Sequence, residues 1–324
     1  MEVKLEKMQF LGIFGILQEA YKIIYTWRKI FSQITLFLIF PLSLFFLAYI
    51  HISNHMAQKI LFQITQTKSQ KGPPRFVNLS DLVMSYELAY FSLFIIVYSI
   101  FLTIISIPST SVVTHVVACI YTDDNEKVSF TRSLKVVTKV WKRVMITSFY
   151  SLGFSFTYDS VAACVLLLIF RVIIFRYRFY WHIKASILIV FMVMYMVGSL
   201  YLSTIWMLSK IVSVLEESYG FKALMKSQRL FRGKMVAATI LIFFQVVVCG
   251  ALLGMISKSV LGIFCLVLFI HFLLYKVVVL TILYFVCKLY HREDIDMSDF
   301  SSLVEIYVSL KANDVQVETE SLLV

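Results

Sequence analysis

Two ionisable side chains stand where this chain offers charge least room. Asp159, in FTYDSVAAC, and Lys276, in FLLYKVVVL, each interrupt an apolar run long enough to cross a bilayer. A charge inside such a run is costly, so it faces a partner or water. Counted as helix from the same membrane face, Asp159 lies roughly 22 Å in and Lys276 roughly 16 Å in. The depths allow an intramembrane Asp159–Lys276 pair. A proton or ion relay would need further acids leading to it, and none follows in the spans. A structural pair that fixes span packing is the simpler expectation.

Other spacings are weaker. His51 and His55 fall at i, i+4, which suits a metal, but no third ligand of the right type is nearby. His271 lies one turn from Tyr275 and reads as a packing residue. The spans contain no Gly-rich phosphate loop, Ser-His-Asp set or acidic metal cluster, so neither an enzyme nor a cofactor or metal is expected. Asp123-Asp124 reads as a helix break, and Glu216-Glu217 as a solvated face. Gly250-x-x-x-Gly254 would let a neighbouring helix approach closely, a packing device. Cys119, Cys164, Cys249, Cys265 and Cys287 lie in or beside apolar runs, so no disulfide framework is implied. Asn78-Leu79-Ser80 has the form of a glycosylation triplet. Glu318, with Leu322 and Leu323 behind it, has the form of an acidic dileucine sorting signal.

These residues are positioned by spans. Hydrophobic residues make up 60% of the 324 and charged residues 15%, more apolar surface than a soluble domain needs. The runs predict an all-α polytopic transmembrane helix bundle of about six spans in three helix hairpins, each preceded by a basic amphipathic helix. The order is a cytosolic amphipathic segment at 1–30, then spans 1 and 2 within 31–110, joined by an outside loop at 51–87. A cytosolic elbow at 111–143 leads to spans 3 and 4 at 144–208. A second elbow at 209–235 leads to spans 5 and 6 at 236–287, and an acidic cytosolic tail occupies 288–324. Pro41 should kink the first span, with Thr35 and Ser43 helping to satisfy the freed carbonyl, and Pro108 should stop the second.

Three segments share one pattern: LQEAYKIIYTWRKIF (17–31), FTRSLKVVTKVWKRV (130–144) and FKALMKSQRLFRGKM (221–235). Each carries a lysine at its sixth position, Lys22, Lys135 and Lys226, and an apolar span follows. Lys29, Arg132, Lys139, Lys142, Lys222 and Arg229 complete the basic faces. Two crossings per unit put all three helices on one side. About two-thirds of the 30 lysines and arginines lie there with both termini, which predicts that side to be cytosolic. The net charge of +11 therefore points to anionic lipid headgroups as partners, not nucleic acid.

The run LSKIVSVLEESYGFKALMKSQRLFRGK and the amino-terminal FLGIFGILQEAYKIIYTWRKIF resemble a family of plant six-span membrane proteins of unknown function. The elbow alone also resembles the membrane domain attached to some bacterial glycerophosphodiester phosphodiesterases, whose catalytic barrel is absent here. The resemblance implies the span count and no activity. The leading expectation is a non-enzymatic protein of an endomembrane or plasma membrane that organises lipids or partner proteins. The alternative is a small-solute transporter or channel.

Overall fold

The computed structural model describes residues 12–70, 86–121, 130–171, 181–232, 234–256 and 262–290. These residues are helical apart from short turns. The elements are α1 (Ile13–Thr26), α2 (Arg28–Ile34), a π-helical turn (Thr35–Ile39), α3 (Phe40–Gln70), α4 (Tyr86–Tyr121), α5 (Phe130–Arg171), α6 (Trp181–Leu215), α7 (Phe221–Phe231), α8 (Met235–Ile256) and α9 (Gly262–Tyr290). Among the described residues, six helical stretches are long and apolar enough to cross a membrane. The protein is a multi-pass helical membrane protein, paired as α3 with α4, α5 with α6, and α8 with α9.

Several expected boundaries move. The first long helix does not end near Ile50 but continues to Gln70. Residues 51–70 are polar yet contain neither Gly nor Pro, so leaving an apolar run does not end the helix. Pro108 does not stop α4, which runs through it to Tyr121. Thr103, Ser106, Ser109 and Thr110 around it all donate to carbonyls within the same helix. Pro41 acts earlier than expected. Its ring crowds the carbonyl four residues back, at Phe37, and Phe37 sits inside the π-helical turn, where the wider winding relieves that crowding. The Thr35 and Ser43 hydroxyls donate instead to the carbonyls of Phe31 and Phe40, each at 2.7 Å.

The basic segments are helices in all three copies, joined to their spans differently. Trp27 breaks the first copy between α1 and α2. The second copy runs straight into its span as α5, a helix of 42 residues. The third, α7, is separate. The alignment survives in the packing: Ala20, Ser133 and Leu224 share the fourth position and are all buried, and Ile23, Val136 and Ser227 share the seventh and are buried too.

The core is concentrated at one end. A 42-residue helix is about 63 Å long, roughly twice the hydrocarbon thickness. In α5 the buried residues run from Ser133 to Ser151, whereas Phe154, Val161, Leu168 and Phe170 are exposed. The end bearing α1 and α7 is packed against protein, and the far halves of α5 and α6 present their apolar side chains outward, as a lipid-solvated surface does. The axis of the packed end is α9, in which every residue from Val278 to Lys288 is buried. A helix apolar and buried all round must be enclosed by neighbours, and α1, α3, α4, α6, α7 and α8 all pack on it. Tyr275 donates to the Leu17 carbonyl at 3.0 Å and so ties α1 to this axis.

Gly220 makes the sharp entry to α7. Its φ of 63° and ψ of −135° lie where only glycine is comfortable, and its N–H donates to Thr147 Oγ1 at 2.8 Å. Gly220→Ala should therefore cost about 1–3 kcal/mol. Gly12→Ala, where an added Cβ meets nothing within 4 Å, should cost little. Thermal unfolding of the two purified variants in detergent checks this, and equal midpoints would refute the role given to Gly220.

Candidate functional site at the elbow

The end of α6 carries the residue that assembles the packed end. Leu208, Val212 and Leu215 form a buried stripe on α6, and Glu216 continues it at 4% exposure. Its N–H still bonds the Val212 carbonyl at 2.8 Å, so helical geometry aims it inward. Glu217, one residue on, faces outward, with Arg143 at 3.5 Å. The expectation that both acids form a solvated face is thus right for Glu217 and wrong for Glu216. The stripe was the available signal.

The Glu216 carboxylate is held from two directions. Tyr284 donates its hydroxyl to Oε1 at 2.6 Å, and Lys288, one turn further along α9, donates to the same oxygen at 3.3 Å. Lys226 of α7 places its ammonium 2.7 Å from Oε2. Burial pushes the Glu216 pKa up, but the hydrogen bonds from Lys226 and Tyr284 and the charges of Lys288 and Lys226 outweigh it, so the carboxyl is held below its ordinary value. One carboxylate with two ammoniums leaves the cluster with a net positive charge.

Around this hub, α7 is amphipathic. Ala223, Leu224, Ser227, Leu230 and Phe231 are buried, and the Ser227 hydroxyl reaches the carbonyls of Ile205 and Leu224 at 3.2 and 2.8 Å. Lys222 and Arg229 are exposed, as are Lys22, Lys29, Arg132, Lys135, Lys139 and Lys142 on the other two basic segments. Lys226 departs from the expected headgroup-facing set. It is half-buried because Glu216 draws it inward. Two further links escaped the sequence reading. His115, buried in α4, is 3.3 Å from the Ser133 hydroxyl of α5, and Thr147 of α5 shares a 2.7 Å hydrogen bond with Ser213 of α6.

The intramembrane pair expected from sequence does not form. Asp159 is exposed on α5 and accepts from the Tyr195 hydroxyl of α6 at 3.0 Å. The rings of Tyr158 and Tyr195 stack at 5.6 Å, and Tyr158 donates to the Tyr195 carbonyl. Lys276 sits on α9, where its charge acts on Lys210 of α6 and on Cys249 of α8. Similar depth along their helices did not bring the two residues together, because α5 and α9 are not close neighbours. The glycine expectation also fails within the chain, because a Cβ at Gly250 or Gly254 meets nothing within 4 Å. The close approach is at Gly198 instead, where a Cβ would collide with the Tyr158 hydroxyl. Cys287 is buried. His51, His55 and His271 are exposed, and His271 Nδ1 lies 2.9 Å from the Val267 carbonyl. Among the described residues no three His, Cys, Asp or Glu gather to hold a metal ion. Asn78, Glu318, Leu322 and Leu323 lie outside the described residues.

Glu216→Gln removes the negative charge and leaves Lys288, whose side chain is 4% exposed, without its counter-ion. The cost should be about 3–5 kcal/mol, against within about 0.5 kcal/mol for the exposed Glu217→Gln. The folded-state pKa of Glu216 is depressed, so its stabilisation is present above the ordinary carboxylate range and is lost as pH falls through the depressed value. Thermal midpoints measured downward from neutral pH should fall on the acid side for the wild type, and less for Glu216→Gln. Parallel profiles would remove Glu216 from that role. Separately, Asp159→Asn and Lys276→Met should be additive within about 0.5 kcal/mol. Rescue of one by the other in a double-mutant cycle would restore the intramembrane pair.

A family model described as "Domain of unknown function (DUF8558)" matches residues 1–320. No curated protein and no solved structure matches the chain.

Proposed function

We propose, for a chain that belongs to the DUF8558 family, that it is a non-enzymatic multi-pass membrane protein whose elbow side faces the cytosol and gathers anionic lipid headgroups. The observation that carries this reading is the exposure of eight basic side chains on three amphipathic segments that bury the same aligned positions. Each Lys or Arg held near an anionic leaflet contributes about 1 kcal/mol. Eight of them on one side give a preference that no single span residue could supply. The excess of lysine and arginine on this side supports its cytosolic placement.

A cleft adds to the reading. A volume of about 390 Å³ opens between the first basic segment and α9, walled by Phe31, Leu36, Ile270 and Leu274, with Arg28 and Ser32 also lining it. An acyl chain suits those walls, and a phosphate suits Arg28. The transport alternative gains little support from Asp159, which is exposed and bonded to Tyr195.

The test is lipid selectivity. Spin-labelled phosphatidylserine should be immobilised around the reconstituted protein in preference to spin-labelled phosphatidylcholine. Replacing Lys22, Lys29, Arg132, Lys135, Lys139, Lys142, Lys222 and Arg229 with Gln should abolish the preference, whereas a preference that survives those replacements rules the reading out.

A further inference from the structure

Below the Glu216 hub lies a second polar group, on three other helix faces, which the headgroup reading does not use. Lys210 is on α6, six residues before Glu216 and so about 9 Å along the axis from it. Lys276 is midway along α9. Both are partly buried, and Lys210 lies within electrostatic reach of the Lys276 ammonium. Among the described residues neither forms an ion pair, and Glu216, the buried carboxylate of this end, is already committed to Lys226 and Lys288.

The third member comes from α8. Gln245 is 2% exposed, and neither its amide nitrogen nor its amide oxygen has a partner. A buried amide left unpaired forfeits its hydrogen bonds to water without replacement, so such a group calls for an explanation. Gln245 and Cys249 fall at i, i+4 and share one face of α8. Ala238, Leu241 and Ile242 are buried on the same side, so that face is the one turned toward the neighbouring helices, and Cys249 lies within electrostatic reach of Lys276. The helices involved, α6, α8 and α9, pack pairwise on one another.

We propose that Lys210, Lys276 and Gln245 form a binding site for one oxyanion, a phosphate or carboxylate group, held between α6, α8 and α9. An oxyanion placed between the two ammoniums replaces their mutual repulsion with two charge-assisted hydrogen bonds. It also accepts the Gln245 amide N–H. The chemistry is the same whether the group is a free anion or the headgroup of a lipid entering between the helices. The site is separate from the exposed basic faces, so it stands or falls without them.

The experiment uses the full-length protein in phosphatidylcholine nanodiscs. In one arm inorganic phosphate is titrated against chloride at matched ionic strength, and in the other phosphatidic acid is added to the disc. The thermal midpoint should rise in at least one arm, because a ligand of the folded state stabilises it. A rise with phosphate identifies a free oxyanion, and a rise with phosphatidic acid alone identifies a headgroup. Losing one charge-assisted hydrogen bond should weaken apparent affinity by about tenfold or more. Lys210→Met and Lys276→Met should therefore suppress the rise, whereas Lys59→Gln, at an exposed position on α3, should keep it. Gln245→Leu supplies the same reading if a lysine variant does not fold. No rise in either arm overturns the proposal, and so does an equal rise in wild type, Lys210→Met and Lys276→Met.

Discussion

Burying a carboxylate is the constraint on which the packed end depends. Glu216 is almost fully removed from solvent, and an isolated ion there would cost several kcal/mol. It is tolerated because three donors arrive from two other helices: Lys226 from α7, and Tyr284 and Lys288 from α9. Each donor is useful only if its helix sits at one height and rotation. Tyr284 and Lys288 are one turn apart, so together they fix the register of α9 against the end of α6. Lys226 then fixes α7 across the elbow that Gly220 opens. Apolar packing alone tolerates sliding by a fraction of a turn, whereas a buried charge with a fixed set of donors does not.

That constraint explains why order is uneven along the helices. In lipid, apolar side chains gain nothing by turning inward, since hydrocarbon surrounds them either way. The far halves of α5 and α6 accordingly leave Val161, Leu168, Val190 and Met194 exposed. Where they do meet, polar links hold them, such as Asp159 with Tyr195 and Tyr158 with the Tyr195 carbonyl. At the elbow end the hydrophobic effect has water to act against, and a compact core forms around α9.

The sequence made the helices and spans legible because their signals are local. Runs of apolar residues mark a span whatever they touch, and the lysines at aligned sixth positions exposed the three copies. The site was less legible because its signals are relational. Glu216 and Glu217 are chemically identical neighbours, and only the stripe through Leu208, Val212 and Leu215 separates them. Asp159 and Lys276 invited pairing by charge and depth, but depth along a helix says nothing about rotation or which helices are neighbours. Gly250 and Gly254 likewise permit a close approach without compelling one. Pro108 is a helix breaker by its own chemistry, yet a packed helix bordered by hydroxyl side chains carries it through.

The third basic copy shows how a repeat can diverge through a single residue outside it. Lys22, Lys135 and Lys226 occupy one aligned position, and the neighbouring fourth and seventh positions are buried in all three copies. The backbones therefore present the three lysines similarly. Lys22 and Lys135 are exposed, and Lys226 is half-buried. The difference is Glu216, five residues before α7 begins, whose Oε2 stands 2.7 Å from the Lys226 ammonium. A lysine that could contribute to a basic surface is thereby converted into a strut. The conversion requires a break between α6 and α7, because an unbroken helix would hold residues ten apart about 15 Å from one another along its axis. Gly220, with its left-handed φ, supplies that break. The second copy instead runs without interruption into α5 and keeps its lysine outward.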